Sequence, residues 1–336
     1  MNRFFFCMLF VGAFGSVVLA GEHTFQYQRI VETGDKTTLS LTCFDGDIEI
    51  IGHDQPNLII DAVKHIKIGD DREAAEIADH IEIRVEQNGQ RVKVSANYLP
   101  IRERGRSFWQ KVLGRGKEDS FGEVSFMIKV PRACSIDLDN GEGNMKISEI
   151  DGDVSMTTSS QHVALTAIHG AVTIKSAAAS LELTSIEGSI DIANSAGSTK
   201  GEMIFGPVTV RQPTGSIDLR FVDGDVRVKT TSADVNIRQE RGALDLTTVT
   251  GSATIQTPLE TARDLFVETE SGDITLMVPS EASGVLKIKS ETGTIRTELP
   301  VKIDKMSTRQ LVGTVGVGGI QVSLVSISGD VTVAQF

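Results

Sequence analysis

Hydrophobic and polar residues alternate along most of this 336-residue chain in short phrases that recur every nine positions. Residues 168–192, IHGAVTIKSAAASLELTSIEGSIDI, contain three of these phrases. In each phrase a small residue is followed two and four positions later by aliphatic residues, as Gly188 is followed by Ile190 and Ile192. Alternation of period two over about five residues, interrupted by a turn, is typical of a short β-strand. The pattern therefore predicts an all-β fold built from many similar strands.

The full repeat is eighteen residues long, because alternate phrases differ from each other. We call the position of the small residue that begins each phrase the slot. The residue two positions before a slot is aliphatic in one half of the repeat, as at Ile168, and polar or small in the other half, as at Ser159. Glycine tolerates the positive φ or close backbone approach that a sharp turn requires. Each unit of two nine-residue halves is predicted to form one coil of a parallel β-solenoid with stacked aliphatic residues inside. Every second slot is always glycine, and these structural turn positions are Gly152, Gly170, Gly188, Gly206, Gly224 and Gly242.

The solenoid is expected to occupy residues 140–336, as roughly ten coils spaced about 4.8 Å apart. One coil is expected to be poorly filled, because Thr199 and Gly201 take positions that are aliphatic elsewhere. Residues eighteen apart should stack on the outer faces, and cross-strand pairs of opposite charge fix strand register. The sequence places such alternating charges at Glu182, Lys200 and Asp218.

Residues 21–139 carry a different pattern, which predicts a β-rich cap with a first coil. The phrase DGDIEIIGHD at 45–54 resembles the later repeats, and Asp71 to His80 reads as one short helix. The Asn88-Gly89 pair predicts a tight hairpin between two alternating segments. We expect this region to shield the open end of the solenoid from association with other strand edges.

The first twenty residues resemble a secretory signal peptide, with a positive start at Arg3, an apolar run and a small-residue cleavage site at Ala20. The alternative is an uncleaved membrane anchor, although the apolar run is short for a span of about 20 residues. The sequence thus predicts export, to the periplasm, to the cell surface or into the medium.

Composition limits the partners of the mature chain. The net charge of -12 disfavours nucleic acid, and aromatic residues make up only 5% of the sequence, against 40% hydrophobic residues overall. Cys43 and Cys134 remain after removal of the signal peptide. In an oxidising compartment they can form a disulfide, or they can remain two buried thiols that pack as small apolar residues.

The repeats carry no pattern of a catalytic, cofactor or metal site. The motif Asp-Gly-Asp at 45–47, 151–153 and 223–225 suggests calcium, but each turn has a single glycine and lacks the GGxGxD spacing of a calcium β-roll. The interpretation we favour is that these aspartates form turns. A β-helix also suggests a polysaccharide-active enzyme, yet the chain beyond residue 140 has neither Trp nor Tyr for sugar stacking.

The one unusual stretch is IRERGRSFWQKVLGRGK at 101–117, a basic insertion in an acidic chain that holds the only tryptophan. Its apolar residues can share one face of a short helix with cations on the flanks. It is either a contact for an envelope protein, an anionic glycan or a membrane surface, or a loop folded back on the cap. The candidate contact residues are Arg102, Arg104, Arg106, Phe108, Trp109, Lys111 and Arg115.

The chain resembles the putative-adhesin family of bacteria in the order of its features. These are a signal peptide, the early DGDIEIIGHD phrase, a helix and a hairpin, and then many successive G-[DS]-[VI]-x-[VI] coils. The resemblance implies an exported β-solenoid of unknown function, without catalytic residues or cofactor, that acts as a binding or scaffold protein of the cell envelope. Two alternatives stay open: a polysaccharide-active enzyme, and an envelope-stress or assembly module that acts through a membrane partner.

Overall fold

The computed structural model describes residues 22–34, 36–98, 122–159, 161–259 and 261–336. The chain divides into two compact units, residues 1–144 and 145–336. Within the described ranges both units consist of β-strands, with one α-helix in the first. The predicted all-β class with a single short helix is confirmed.

The first unit contains β1 His23–Glu32, β2 Thr37–Asp45, β3 Ile48–His53, β4 Asn57–Ile66, α1 Asp71–His80, β5 Ile81–Asn88, β6 Arg91–Tyr98, β7 Gly122–Pro131 and β8 Cys134–Glu142. One set of strands follows the order β1–β4–β7–β3, with β4 antiparallel to both neighbours. The other follows β5–β6–β2–β8, with β2 parallel to both neighbours. Alternate residues are buried in β2, β3 and β6 because successive side chains point to opposite faces.

Helix α1 has the bounds that the sequence predicted. The carboxylate of Asp70 caps its first turn by accepting from the amides of Arg72 and Glu73. Ala74 and Ala78 are buried, and the Lys64 ammonium donates to the Ala78 carbonyl at 2.8 Å. Burial lowers the pKa of Lys64. The predicted hairpin is also present, since β5 and β6 pair antiparallel around residues 89 and 90.

Of the two alternatives for Cys43 and Cys134, the structure has the pair of buried thiols and not the disulfide, because both cysteines are free. In the parallel register of β2 and β8, Cys134 lies opposite Thr37 and Cys43 opposite Asn140. Six residues of extended strand separate the cysteines along the sheet, about 20 Å at the usual rise. A disulfide needs Cα atoms within about 7 Å. Burial raises the pKa of each thiol to about 11, so both stay protonated at neutral pH.

The second unit forms two faces, which we call the front and back sheets. The front strands are β9 Asn144–Ile150, β11 His162–His169, β13 Ser180–Glu187, β15 Ser198–Phe205, β17 Thr214–Asp223, β20 Ala253–Gln256, β22 Ile274–Val278, β24 Ile295–Thr297 and β28 Val331–Gln335. The back strands are β10 Val154–Thr158, β12 Val172–Ser176, β14 Ile190–Asn194, β16 Val208–Arg211, β18 Val226–Lys229, β21 Ala262–Thr269, β23 Gly284–Ser290, β25 Val301–Ser307, β26 Gln310–Val315 and β27 Gln321–Ser326. The long strand β19, Ser232–Thr248, gives its first half to the front and its second half to the back.

The strands of successive coils pair in parallel with an offset of eighteen residues, so the predicted coil length is confirmed. Val154 pairs with Val172 and Val172 with Ile190, and the same offset runs through β11, β13, β15 and β17. The predicted charge ladder is present as well, since Lys200 lies in register with Glu182 and Asp218, and its ammonium is 3.7 Å from the Glu182 carboxylate.

The invariant glycines form a continuous backbone stack. A Cβ on Gly188 would lie 2.2 Å from the carbonyl oxygen of Gly170, and a Cβ on Gly206 would lie 2.3 Å from that of Gly188. Their φ angles of 151° and 145° also favour glycine. Close approach and backbone conformation therefore both explain why this slot admits no side chain.

The expectation of a poorly filled coil at Thr199 and Gly201 is wrong. The Thr199 side chain is fully buried, and its hydroxyl donates to Gln212 Oε1 at 2.7 Å. The space beside Gly201 is taken by Ile204 and Leu219, whose methyl carbons would lie within 3 Å of a Cβ there. A polar pair and two neighbouring aliphatic side chains fill this layer.

The last coil in the sequence is not the last in space. Strands β27 and β28 insert between β21 and β22 on one side and β23 and β24 on the other, in parallel with all four. The glycine slots follow the same order, because Gly329 stacks on Gly272 and Gly293 stacks on Gly329. Strands β26 and β25 then continue the back sheet beyond β23, both pairs being antiparallel.

Candidate functional site

The basic contact segment predicted from the sequence lies outside the described residues, and so do Arg102, Arg104, Arg106, Phe108, Trp109, Lys111 and Arg115. The residues that border it lie close together, because the Tyr98 hydroxyl is 3.4 Å from the Gly122 carbonyl oxygen. The Tyr98 ring meets the exposed ring of Phe44 edge-on, with 6.3 Å between centroids. Burial raises the pKa of the Tyr98 hydroxyl, which stays protonated.

The repeated aspartates connect neighbouring coils. The carboxylate of Asp153 accepts from the Ala171 amide at 2.8 Å, and that of Asp225 accepts from the Ala243 amide at 2.9 Å. In the first unit Asp47 accepts from the Asn144 amide at 2.8 Å. These are the second aspartates of the three Asp-Gly-Asp motifs, and the bonds support their interpretation as turn residues. In the parts of the chain that the structure describes, no cluster of three acidic, His or Cys residues has the geometry of a metal site.

Two kinds of turn occur, in different halves of the described coils, and neither kind recurs in every coil. In one half a buried polar residue sits three positions before the slot, and its side-chain oxygen accepts from the slot amide, as Thr248 does from Gly251 at 3.2 Å. The same contact recurs at Thr230, Thr269, Ser290 and Ser326. A recurring Ser/Thr-x-x-Gly or Ser/Thr-x-x-Ala phrase is the sequence signal for this turn.

In the other half, the residue three positions before the invariant glycine adopts a left-handed conformation although it is not glycine. We call this series the left-handed column, and it consists of Glu149, Ala167, Ser185, Met203 and Phe221, with φ between 55° and 62°. From β11 to β17 the column residues are omitted from the strand pairing, so that Glu202 pairs with Arg220 and Ile204 with Val222. Each column residue is thus a left-handed kink at the same position of a front strand, and the register of the strands is kept on both sides of it. A bulky residue in this conformation is rare in proteins.

The column ends in an exposed apolar surface, which we call the ridge patch: Met203, Phe205, Phe221, Arg220 and Arg238. The three apolar side chains are 40%, 53% and 37% exposed, respectively. The Arg238 guanidinium lies 4.3 Å from the centre of the Phe221 ring, a cation–π contact. Arg220 and Arg238 lie in register in adjacent front strands. The left-handed column therefore holds two large side chains, Met203 and Phe221, outward beside two arginines.

The electrostatics of the ridge patch suit binding. Arg220 contacts Asp218 through two nitrogens, at 3.2 and 2.8 Å, and Arg238 lies 3.4 Å from Glu240. Both arginines remain largely exposed, and exposed ion pairs of this kind contribute little energy and exchange partners readily. Apolar side chains next to arginines can bind an anionic partner that also offers apolar surface.

Sequence reasoning missed the ridge patch. Phe205 and Phe221 are visible in the sequence among the few aromatic residues beyond position 140. Their meaning depends on the eighteen-residue step, which puts position 221 directly beside position 203 in the next coil. A search for exposed aromatic residues at this spacing is the signal that would have found them.

Several solved structures are distant neighbours of this chain. One is described as a putative cell adhesion protein from Clostridium sporogenes ATCC 15579, with 11% identity, coverage of 93% of this chain and 100% of that chain, and a TM-score of 0.26. Another is described as a putative lipid binding protein from Parabacteroides distasonis ATCC 8503, with 13% identity, coverage of 91% and 96%, and a TM-score of 0.31. Among curated proteins none matches this sequence.

Helix α1, the one helix within the described ranges, is too short and too polar to cross a membrane. The family resemblance drawn from the sequence is confirmed, together with the β-solenoid fold that it implies. Residues 66–334 match the family described as Toastrack DUF4097, and because this match spans most of the chain, the protein belongs to the Toastrack DUF4097 family.

Proposed function

We propose that this protein is an exported, non-catalytic binding protein of the cell envelope, which acts as an adhesin or scaffold for an anionic partner. The observation that carries the proposal is the ridge patch, where the left-handed backbone at Met203 and Phe221 holds large apolar side chains outward beside Arg220 and Arg238. Glu149, Ala167 and Ser185 have the same left-handed backbone in the preceding coils, and large apolar side chains take this position only at Met203 and Phe221.

A non-catalytic role is supported by what the repeated polar groups do. The aspartates at the turns accept backbone amides of the next coil, and the buried hydroxyls accept slot amides. Acid–base catalysis requires carboxylates that face a substrate with their protons free to move. In this protein the repeated acids of the described turns are engaged in holding coils together.

The ridge patch and the basic segment 101–117 share one chemistry, since each combines arginines with aromatic residues. Arginine binds carboxylates and phosphates in a planar, two-pronged manner and stacks on aromatic rings. We therefore assign the partner as an acidic segment of an envelope protein, and both surfaces are candidates for its contact.

The test is a binding measurement with residues 21–336 on three probes: acidic envelope proteins captured by crosslinking, anionic phospholipid vesicles, and purified envelope glycan. One variant carries Phe205→Ser and Phe221→Ser, and another has Arg102, Arg104, Arg106 and Trp109 all changed to alanine. A matched control carries Lys175→Ala and Lys229→Ala on the exposed side of the back sheet.

We expect saturable binding to an acidic protein that weakens in at least one of the two variants and not in the control. Equal binding by all four proteins would refute the proposed surfaces, and tight binding to vesicles or glycan alone would refute the proposed partner. Release of reducing ends from the glycan would instead show a polysaccharide-active enzyme.

A further inference from the structure

Strand β1 is the last strand of its sheet in the first unit, and within the described residues one of its edges is unpaired. It pairs with β4 over ten residues, from His23 to Glu32, without a register shift. The strand contains neither proline nor lysine. Gln26, Gln28 and Ile30 on its outer face are exposed, so the middle of the strand is open to solvent. A long, regular and uncovered edge of this kind is a template for another strand.

The terminal strands of the second unit are protected in ways that β1 is not. Strand β25 follows Pro300, has a register shift between Ile303 and Lys305, and exposes both Lys302 and Lys305. Strand β24 has only three residues. Bulges, lysines, prolines and very short strands are the usual means by which proteins block edge-to-edge pairing. The absence of all four from β1 indicates an edge that is open to pairing.

Strand β5 is the terminal strand of the other sheet of this unit and lies across the core from β1. The Arg29 guanidinium donates to the Val85 carbonyl oxygen at 3.2 Å, and the Gln87 side-chain amide donates to the Glu32 carbonyl oxygen at 2.9 Å. The two strands therefore run in the same direction, and their free edges lie at the same end of the unit. A partner that adds a strand to β1 also meets β5.

The outer face of β5 carries charges of alternating sign, which match an antiparallel copy of the same strand. Glu82, Arg84 and Glu86 follow at every second position, and Arg84 lies 3.0 Å from Glu82 and 4.0 Å from Glu86. When Ile83 lies opposite Ile83 of a second copy, Glu82 lies opposite Arg84 of that copy, and the reverse pair forms as well. A shift of the axis by one residue in either direction sets Glu82 or Arg84 opposite itself, and like charges directly opposite are destabilising. The charges on β5 therefore select both the occupant and its register.

We propose that the first unit binds a second copy of itself end to end, through the free edges of β1 and β5. A two-fold axis perpendicular to the sheets makes each strand antiparallel to its own copy. Ile83 lies two residues before Val85, which contacts Arg29, so the axis at Ile83 passes Tyr27 on β1. Each copy then contributes the same surface, which is the requirement for a closed two-fold interface.

The register that β5 selects also suits β1, where it pairs residues 23–31 of the two copies. Tyr27 lies opposite itself, and Phe25 lies opposite Arg29 of the second copy. These three residues share the core-facing side of β1 with the buried Val31, yet Phe25 and Tyr27 are only half-buried and Arg29 is exposed. An arginine against an aromatic ring is a favourable pair. The second copy thus covers aromatic side chains that the end of the core leaves partly in solvent.

The experiment is sedimentation equilibrium of residues 21–336 over a wide concentration range. Gln26 of one copy lies opposite Gln28 of the other, so one edge variant carries Gln26→Lys and Gln28→Lys, and a second carries Gln26→Glu and Gln28→Glu. A matched control carries Ser155→Lys and Thr157→Lys on β10, a strand that has neighbours on both sides. Because all four positions are exposed, each variant should keep the wild-type thermal unfolding profile, which is recorded in parallel.

We expect a monomer–dimer equilibrium whose Kd rises at least about tenfold in each edge variant and is unchanged in the control. An equimolar mixture of the lysine and glutamate variants should recover the dimer, because opposite charges then face each other at both Gln26–Gln28 pairs. A protein that stays monomeric at every concentration would overturn the proposal, and so would a dimer that the edge variants leave intact or that the mixture fails to recover. A monomeric protein whose edge variants lose a crosslinked envelope protein would assign the edge to that protein and overturn the two-fold.

Discussion

The carbonyl oxygen of Gly170 lies 2.2 Å from the place that the Cβ of any other residue at position 188 would occupy. The same relationship continues to Gly206, Gly224 and Gly242, so the backbones of successive coils touch along one line. The atom that an added Cβ would meet belongs to the backbone of the neighbouring coil. It cannot move aside as the end of a flexible side chain could. The glycine column therefore sets the distance between coils at this turn.

Replacement of Gly188 by alanine should destabilise the second unit by more than about 2 kcal/mol, because overpacking costs about 1–3 kcal/mol and a positive φ costs an alanine about 1–2 kcal/mol. Chemical unfolding followed by circular dichroism measures the change. The control is Gly34→Ala, where no atom lies within 4 Å of the added Cβ. Equal losses at the two positions would contradict the backbone stack.

The left-handed column predicts the reverse response to glycine. Ala167→Gly removes the cost of a left-handed alanine, about 1–2 kcal/mol, and loses about 0.5–1 kcal/mol to added chain entropy, so its net effect is neutral to stabilising. Ala164→Gly, in the same strand and equally half-buried, should destabilise by about 0.5–1 kcal/mol. Thermal unfolding of the two variants measures the difference, and a larger loss at position 167 would contradict the left-handed conformation of Ala167.

The inward and outward positions of β18 provide a test of register. Val226 is buried in the stack, whereas Arg227 is exposed and pairs with Asp245 at 3.1 Å. Val226→Asp should cost more than about 3 kcal/mol, since a buried unpaired carboxylate has no compensating partner. Arg227→Asp should cost about 1 kcal/mol or less. Similar losses of the two variants in urea unfolding would contradict this register.

The buried hydroxyl turn predicts a large effect from a small change. Thr248→Val removes the acceptor of the Gly251 amide while keeping nearly the same shape, and an unsatisfied buried amide costs about 1–3 kcal/mol. Thr247→Val, at the adjacent outward position, should change stability by less than about 0.5 kcal/mol. Hydrogen exchange of the Gly251 amide reports the same bond directly, and unchanged protection in Thr248→Val would argue against it.

The two cysteines should be unreactive and unpaired in the folded protein. Residues 21–336 should show no mass change on reduction, and a thiol reagent should label Cys43 and Cys134 only after unfolding. The pKa of each thiol rises on folding from 9.0 to about 11, so the native state holds more protons than the unfolded state in that range. Stability should therefore fall as the pH rises from 9 to 11. A double Cys→Ser variant should lose this part of the pH dependence.

Much of this architecture was predictable because it depends on the chemistry of the side chains. The aliphatic residues at Val172 and Ile174 have to face inward, and the eighteen-residue offset follows from their recurrence. Helix α1 was predictable from a capping aspartate before a short amphipathic run, and the hairpin after β5 from Asn88-Gly89. Such features depend on neighbours in sequence or on one repeated step.

The features that were not predicted depend on backbone conformation or on the order in which the coils stack. The left-handed column holds Glu149, Ala167, Ser185, Met203 and Phe221, side chains that share no property, so composition gives no signal for it. The insertion of β27 and β28 was invisible for the opposite reason, because the slots at Gly293 and Gly329 are chemically alike and any stacking order satisfies them. The ridge patch follows from the column and was missed with it.

A chain that is synthesised from its amino terminus contains β23, β24 and the β25–β26 hairpin before it contains β27 and β28. Strands β23, β26 and β25 can pair with one another at that stage. They join the preceding coils through β27, and β24 joins them through β28, its one strand partner in the described chain. Loss of β28 alone would therefore leave β24 without a partner strand.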